Sequence, residues 1–140
     1  MKLIHSLIVA LLLALAPLGA GAAVAGDTDP LFINATTDEP HRAMMALMFA
    51  KNQLERKHPV TIFLNDKAVF LGSKANAGKF KDHQGMLGTL LKGGATVIMC
   101  PNCMKHYGIK DTDLLDGIKV GNAELTGSHL FKDNTKTLTW

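Results

Sequence analysis

The chain has 140 residues, with 15 Lys or Arg against 12 Asp or Glu and a formal net charge of +3. This near balance, without a basic run interleaved with aromatic residues, lacks the electrostatic footprint of nucleic-acid-binding proteins and argues against that class. The two cysteines are too few for a small secreted scaffold held by several disulfides, so they are interpreted as a local motif.

The first 25 residues predict an export signal. Lys2 precedes an uncharged apolar run from Leu7 to Leu15, and small residues follow up to Ala25. Cleavage after Ala25 fits the small-x-small pattern, and a second possible site follows Ala22. The alternative is a retained N-terminal membrane anchor, because the uncharged stretch is long enough to span a bilayer. We expect a signal peptide over residues 1–25 and a periplasmic location.

Residues 26–140 are expected to form a single domain. Removal of the signal leaves 115 of the 140 residues, which suffice for one hydrophobic core and are too few for two. Only one charged residue, Lys2, is removed, so the mature part has a net charge of +2, and this charge predicts no particular class of partner. The mature part has no further apolar stretch long enough to cross a membrane.

Strands and helices alternate along the first half of this domain. Branched and aromatic residues followed by polar turns predict the strands, and apolar residues at helical spacing predict the helices. The predicted elements are strand Leu31–Ala35, a helix from the N-cap Asp38 up to Lys57, strand Pro59–Leu64, a loop Lys67–Asp82 with one short helical piece, and helix His83–Lys92 closed by Gly93. The first helix has its apolar face at Ala43, Met44, Leu47, Met48, Ala50 and Leu54.

The second half continues the same alternation with shorter elements. The predicted elements are strand Ala95–Met99, a short helix Met104–Tyr107 closed by Gly108, a helical turn at Leu114 and Leu115, a weak strand Gly117–Val120, a helix within Gly121–Asp133, and an edge strand or tail Lys136–Trp140. This order predicts a three-layer α/β/α fold of the flavodoxin-like kind with a mostly parallel sheet.

Polar or reactive residues follow three of the predicted strands. They occupy Thr36 to Glu39, Asn65-Asp66, and Cys100 to Cys103. Because ligands of open parallel sheets bind beyond the carboxyl ends of the strands, we expect these segments to converge. The sequence therefore predicts Cys100 and Cys103 as reactive residues, and Thr36, Asn65 and Asp66 as substrate-binding residues.

The Cys-x-x-Cys motif lies where a strand gives way to a helix. Helix amide groups near Cys103, and near Cys100, would favour a thiolate. Pro101 stiffens the turn, and Asn102 is expected to cap the helix. Two intervening residues allow either a small disulfide ring or two ligands to one soft metal ion, and an inert structural disulfide or simple burial remains an alternative.

Soft-metal binding is the main competing interpretation. Met99, Met104 and His106 lie next to the cysteines, and thiolate, thioether and imidazole together suit Cu(I). A structural zinc site is disfavoured, because a second ligand pair at suitable spacing is missing. His41 follows a strand-end turn and could reach the site, whereas the other mature-chain histidines outside the motif, His58, His83 and His129, are expected at the surface.

Several segments together resemble the DsrE/DsrF-like family over nearly all of residues 30–140. They are the first strand Leu31–Asn34, the helix from Asp38, the strand Val60–Leu64 with Asn65-Asp66, and Val97–Cys103 followed by Tyr107-Gly108-Ile109. The resemblance implies a small three-layer α/β fold that assembles into homo-oligomers. It also implies chemistry in which one cysteine carries persulfide sulfur in a relay.

The relay members of that family have a glycine eight residues after the sulfur-carrying cysteine, as Gly108 follows Cys100. The resemblance thus favours Cys100 as the carrier and Cys103 as a resolving partner. Relay members are cytoplasmic and as a rule lack the second cysteine, whereas this chain has both an export signal and Cys103. Cofactors are not expected, the metal state of the cysteines is left open, and small sulfur species or a thiol protein are the expected partners, with no nucleic acid. A membrane contact is expected only if residues 1–25 are retained.

The leading hypothesis is uptake of sulfane sulfur, or thiol–disulfide exchange, at Cys100 with Cys103 resolving. The alternatives are a Cu(I)-binding protein with Cys100, Cys103 and Met104 or His106 as ligands, and a non-catalytic oligomeric scaffold. Whether the protein turns over a substrate as an enzyme is left open.

Overall fold

A computed structural model describes residues 26–140 of the chain. The predicted signal peptide and its cleavage site lie outside the described residues. Within residues 26–140, no helix combines the length and the apolar character needed to span a bilayer.

Five parallel strands form the sheet at the centre of the fold. They are β1 (Leu31–Ala35), β2 (Val60–Leu64), β3 (Thr96–Met99), β4 (Lys119–Val120) and β5 (Lys136–Thr139), in the spatial order β4-β3-β2-β1-β5. Ile33 is opposite Ile62 and Leu138, and Ile62 is opposite Val97, so the apolar side chains of neighbouring strands share one face. The predicted parallel sheet is confirmed, and Lys136–Thr139 is an edge strand paired with β1 rather than a tail.

Within residues 26–140, four α-helices connect the strands: α1 (Pro40–Glu55), α2 (Ala77–Lys92), α3 (Pro101–Tyr107) and α4 (Ala123–Leu130). The chain steps from β1 to β4 in one direction, and right-handed connections therefore put α1, α2 and α3 on the same face of the sheet. The return to β5 crosses in the other direction and puts α4 on the opposite face. The predicted three-layer arrangement follows from this single reversal.

The core lies between the sheet and helices α1 and α2. Ile33, Ile62, Leu64 and Val97 on the strands meet Leu47 and Ala50 of α1 and Leu87 and Leu90 of α2, each with at most 1% of its surface exposed. A contiguous apolar set of this kind provides most of the favourable free energy of folding in a domain of this size. It also holds the ends of β2 and β3 in fixed register, which positions the cysteine motif.

Helix α1 differs from the sequence prediction at its start and on one face. Glu39, not Asp38, is the N-cap, because its carboxylate accepts hydrogen bonds from the backbone N–H groups of His41 at 3.1 Å and Arg42 at 2.7 Å. These two bonds hold the pKa of Glu39 below its usual value. Met48, predicted to face the core, has 44% of its surface exposed.

Helix α2 begins at Ala77, six residues before the predicted start. Phe80 has non-helical backbone angles, φ −120° and ψ 26°, so a kink separates the first turn from the rest. The remainder of the predicted loop forms two short 3₁₀ helices, Asp66–Gly72 and Lys74–Asn76. His83, predicted at the surface, is buried on α2, and its Nε2 lies 2.8 Å from the carbonyl oxygen of Pro40.

The segment between α3 and β4 also departs from expectation. A 3₁₀ turn covers Asp111–Asp113, and Leu114 forms an isolated bridge to Ser73 instead of a helical turn. This bridge ties the segment to the long connection after β2, directly beside the end of β3.

Candidate functional site

The ends of β2 and β3 bring the cysteine motif against the residues that follow β2. The backbone N–H of Cys100 donates to the carbonyl of Leu64 at 3.0 Å, which extends the pairing of these strands by one residue. Asn65, Asp66 and both cysteines consequently lie together at the carboxyl edge of the sheet, as the sequence predicted for these two segments.

Cys100 caps helix α3 with its sulfur. Its Sγ accepts a hydrogen bond from the backbone N–H of Cys103 at 3.3 Å, and Pro101 occupies the first helical position, where no N–H is needed. Asn102 was expected to be the cap, but it is an exposed residue inside α3. One helix amide, that of Cys103, therefore points at the Cys100 sulfur, although only 8% of the surface of Cys100 is exposed.

Cys103 is half-buried and has three polar neighbours. Its single S–H has two alternative acceptors, Sγ of Cys100 at 2.6 Å and Oδ1 of Asn65 at 3.0 Å. The backbone N–H of Asp66 in turn donates to Sγ of Cys103 at 3.2 Å. Both cysteines are free, and their sulfurs are adjacent.

The pKa of the Cys103 thiol is raised, which is contrary to the expectation that the helix would favour a thiolate there. Burial is the main cause, followed by the hydrogen bond that Cys103 makes to Cys100; the Asp66 amide lowers the pKa by a lesser amount. Negative charges on Cys100 and Asp66 raise it further. The helix amide of Cys103 bonds to Cys100 instead, since Cys103 lies inside the first turn.

Tyr107 and Asp66 close one side of the cysteine pair, and the sequence analysis did not select Tyr107. Its hydroxyl donates to Oδ1 of Asp66 at 2.6 Å. This bond to a carboxylate, with burial second, raises the pKa of Tyr107 to about 12. The available signal was its position four residues after Cys103, because residues four apart share one face of a helix.

Thr36, the remaining predicted binding residue, makes no hydrogen bond to the cysteine pair. Its hydroxyl donates to the carbonyl of Trp140 at 2.7 Å, and its backbone N–H donates to the same oxygen at 2.9 Å. Thr36 thus ties the end of β1 to the edge strand β5. The nearby Asp38 forms an ion pair at 2.9 Å with Lys79 of α2.

The structure offers few ligands to a soft metal ion at this site. Met99 is fully buried and Met104 has 3% of its surface exposed, both within the core. His106 packs its ring edge-on against Tyr107, with the centroids 4.7 Å apart. Across residues 26–140, no three or more His, Cys, Asp or Glu side chains are grouped so that they could hold a metal ion.

The arrangement suits reversible sulfur chemistry between two thiols. Cys100 has a backbone donor at its sulfur, and the Cys103 sulfur lies against it. A persulfide or mixed disulfide on Cys100 would therefore lie next to a second thiol able to displace it.

Comparison with known proteins places this chain among similar small α/β proteins. The sequence model of the DsrE/DsrF-like family matches residues 31–138. The uncharacterized protein MK0008 of Methanopyrus kandleri is 34% identical over 80 residues, which cover 56% of this chain and 66% of that protein. The uncharacterized protein MJ0989 of Methanocaldococcus jannaschii is 33% identical over 88 residues, or 60% and 77% of the two chains. The crystal structure of the YchN protein from E. coli superimposes with a TM-score of 0.66 and 25% identity, over 79% of this chain and 100% of that one.

Proposed function

Since this chain belongs to the DsrE/DsrF-like family, a family of the sulfur-relay type, we propose that it handles sulfane sulfur or exchanges disulfides through Cys100. Cys103 acts as the resolving thiol in this proposal. The compartment is the periplasm, in keeping with the export signal predicted over residues 1–25.

The 2.6 Å separation of the two sulfurs carries the proposal. A resolving thiol must attack the sulfur of its partner, and in this chain it already lies within contact distance. Each sulfur accepts one backbone N–H, from Cys103 at Cys100 and from Asp66 at Cys103, and the raised pKa of Cys103 supports the order of events. Cys100 is therefore the better initial nucleophile.

In the first step, the Cys100 thiolate attacks the sulfane sulfur of a polysulfide. A sulfur–sulfur bond forms on Cys100, and the shortened polysulfide leaves as a thiolate. In the second step, the Cys103 thiol loses its proton and attacks Sγ of Cys100. A Cys100–Cys103 disulfide forms, hydrosulfide leaves with the former sulfane sulfur in reduced form, and the two thiols have supplied the two electrons. A dithiol protein or small thiol then reduces the disulfide.

The substrates and partners expected from this chemistry are small sulfur species or a thiol protein. Asn65 and Asp66 are the proposed binding residues, because an amide oxygen and a backbone N–H already contact the Cys103 sulfur. Thr36, which bonds to Trp140, is left without a role in this step.

We also propose that the chain forms a homo-oligomer through the sheet face that α4 only partly covers. Phe131, at the end of α4, has 82% of its surface exposed. Beside α4 lies a cleft of about 330 Å³ whose walls include Phe32, Phe63 and Leu130. An exposed aromatic side chain next to a cleft with both aromatic and polar walls is characteristic of association surfaces.

Intact-mass analysis of single-cysteine variants tests the proposed chemistry. Reduced protein is mixed anaerobically with inorganic polysulfide, desalted and weighed. We expect Cys103→Ser to retain a mass increase of about 32 Da, because the persulfide has no resolving thiol. Wild type should lose about 2 Da as the internal disulfide forms.

The matched Cys100→Ser variant provides the control, since it keeps one thiol in the same site. It should gain far less sulfur than Cys103→Ser, because Cys103 is the thiol with the raised pKa. Equal sulfur uptake by the two variants, or none by either, would refute Cys100 as the carrier.

A further inference from the structure

Asp29 lies at the amino edge of the sheet, where contacts with the starts of β2 and β5 hold it in place. Its carbonyl oxygen is 2.9 Å from Nδ1 of His58, two residues before β2. Its Oδ2 forms an ion pair at 3.3 Å with Nζ of Lys136, the first residue of β5. Only 13% of the Asp29 side chain is exposed, so its carboxylate is a fixed acceptor just before β1.

The backbone nitrogen of Gly26 points at this carboxylate. Its N–H donates to Oδ2 of Asp29 at 2.9 Å, and the Asp29 N–H donates back to the Gly26 carbonyl at 3.1 Å, which closes a four-residue turn. A Cβ atom at position 26 would lie 2.9 Å from Oδ1 of Asp29, so a larger residue would push the carboxylate aside. Glycine at this position therefore allows the nitrogen to approach the acid closely.

Gly26 is also the residue that follows the first of the two cleavage sites of the predicted export signal, Ala23-Val24-Ala25. A signal peptidase would hydrolyse the Ala25–Gly26 peptide bond with one water molecule. Ala25 then ends in a carboxylate, and the nitrogen of Gly26 becomes an amine that takes up a proton near neutral pH. Cleavage after Ala22 would instead leave the Gly26 nitrogen as a neutral peptide N–H.

We infer that Asp29 is the binding site for the amino terminus that cleavage after Ala25 produces, and that the α-ammonium group of Gly26 pairs there with the carboxylate. The hydrogen bond through a neutral N–H becomes charge-assisted, and bonds of that kind are roughly twice as strong. A mature chain that starts at Ala23 would lack this ion pair. The inference goes beyond the proposed cysteine chemistry and rests only on export of the chain.

Other charged groups around Asp29 set the size of the expected effect. The ammonium group of Lys136 shares Oδ2 of Asp29, and the ring of His58 lies against the Asp29 carbonyl. Positive charge on either side chain opposes a second cation, whereas the carboxylate contacts the Gly26 nitrogen directly, at 2.9 Å. We therefore expect a modest rise in the pKa of the α-amino group.

The first test identifies the amino terminus of the exported protein. The full-length chain with its own signal is expressed in a bacterium, and the protein isolated from the periplasm is digested with trypsin and analysed by mass spectrometry. We expect an amino-terminal peptide of residues 26–42, because Arg42 is the first trypsin site after Gly26. A chain that starts at Ala23, that keeps its signal, or that is absent from the periplasm would overturn the inference.

The second test measures the protonation of the Gly26 nitrogen through its acetylation in the folded protein. Residues 26–42 contain no lysine, so an acetyl group on the first residue of this peptide reports the α-amino group alone. Protein is pulsed with acetic anhydride between pH 6 and pH 9, and only the neutral amine reacts. Asp29→Asn should raise the rate at pH 7 by about two- to fivefold and shift the profile about half a unit to lower pH. Asp27→Asn, the loss of an exposed carboxylate in the same turn, is the matched control and should change neither.

Gly26→Ala supplies a second variant that keeps the carboxylate and a small residue at the cleavage site. Its Cβ would displace the Asp29 side chain, so the rate at pH 7 should rise here as well. Circular dichroism checks that each variant is folded. An unchanged profile in both Asp29→Asn and Gly26→Ala would overturn the inference. Neither readout involves the cysteines, so the outcome is independent of sulfur uptake in the polysulfide experiment.

Discussion

The titration of Tyr107 offers a direct reading of the contact between α3 and the turn after β2. Tyr107 is the single tyrosine of the chain, so tyrosinate absorbance near ~295 nm reports this residue alone. Its hydrogen bond to the Asp66 carboxylate is the largest cause of a pKa raised to about 12 from an ordinary value of 10.0. At pH 11, Tyr107 should then be about one-tenth ionised in wild type.

Replacement of Asp66 by Asn removes the charged acceptor and should bring the pKa of Tyr107 down toward its ordinary value. At the ordinary value of 10.0, about nine-tenths of Tyr107 would be ionised at pH 11, so the absorbance change at that pH should rise several-fold. Circular dichroism at the same pH checks that both proteins remain folded, and Asp82→Asn controls for net charge. A wild-type midpoint near 10.0, or no difference between wild type and Asp66→Asn, would refute the Tyr107–Asp66 contact.

Three further predictions concern the core, the opposite face and the assembly. Leu47→Ala should lower the free energy of unfolding in urea by about 2–5 kcal/mol, whereas Met48→Ala, next to it but 44% exposed, should cost under about 1 kcal/mol; equal losses would contradict the assigned core. Burial, with Lys119 and Lys132 nearby, lowers the pKa of His129 below its ordinary 6.5. Because the unfolded chain binds that proton more readily, the neutral His129 stabilises the fold above pH 6.5, and this contribution is lost as the pH falls; a midpoint at or above 6.5 by NMR would disprove the burial. Phe131→Ser should lower the molar mass found by light scattering, because Phe131 is proposed to lie in the oligomer interface. An unchanged molar mass would show that Phe131 lies outside that interface.

Much of the fold could be predicted from the sequence because its three central strands are largely buried. Continuous apolar runs such as Leu31–Ala35 and Val60–Leu64 are typical of central parallel strands, and all five predicted strands are present. Glycine residues also predicted where helices end. Gly108 closes α3 with φ +70°, a conformation that other residues seldom adopt.

Local signals were less decisive where two residues compete for one role. Asp38 and Glu39 both precede Pro40, and only the path of the chain puts the Glu39 carboxylate over the helix amides. Burial of His83 depends on a contact with the Pro40 carbonyl of another helix, which periodicity along α2 does not reveal. Met48 fits the helical spacing, yet 44% of its surface is exposed.

The position of the candidate site could be predicted from the sequence. The different surroundings of its two cysteines could not. Strand ends indicated that Cys100, Cys103, Asn65 and Asp66 would meet, and the structure brings all four together. The sequence could not reveal which sulfur receives the helix amide, because asparagine is the commoner cap and a cysteine cap is unusual. Nothing in the local sequence indicated the positive φ of Asp66 either, since aspartate usually adopts negative φ.

The pH dependence of Cys100 alkylation in the reduced wild-type protein tests the central claim most directly. The account predicts that Cys100 reacts with iodoacetamide at pH 7 faster than a free thiol in an unfolded peptide, and faster than Cys103 in the same molecule. A Cys100 that reacts no faster than the peptide thiol, or only after the protein is unfolded, would contradict it.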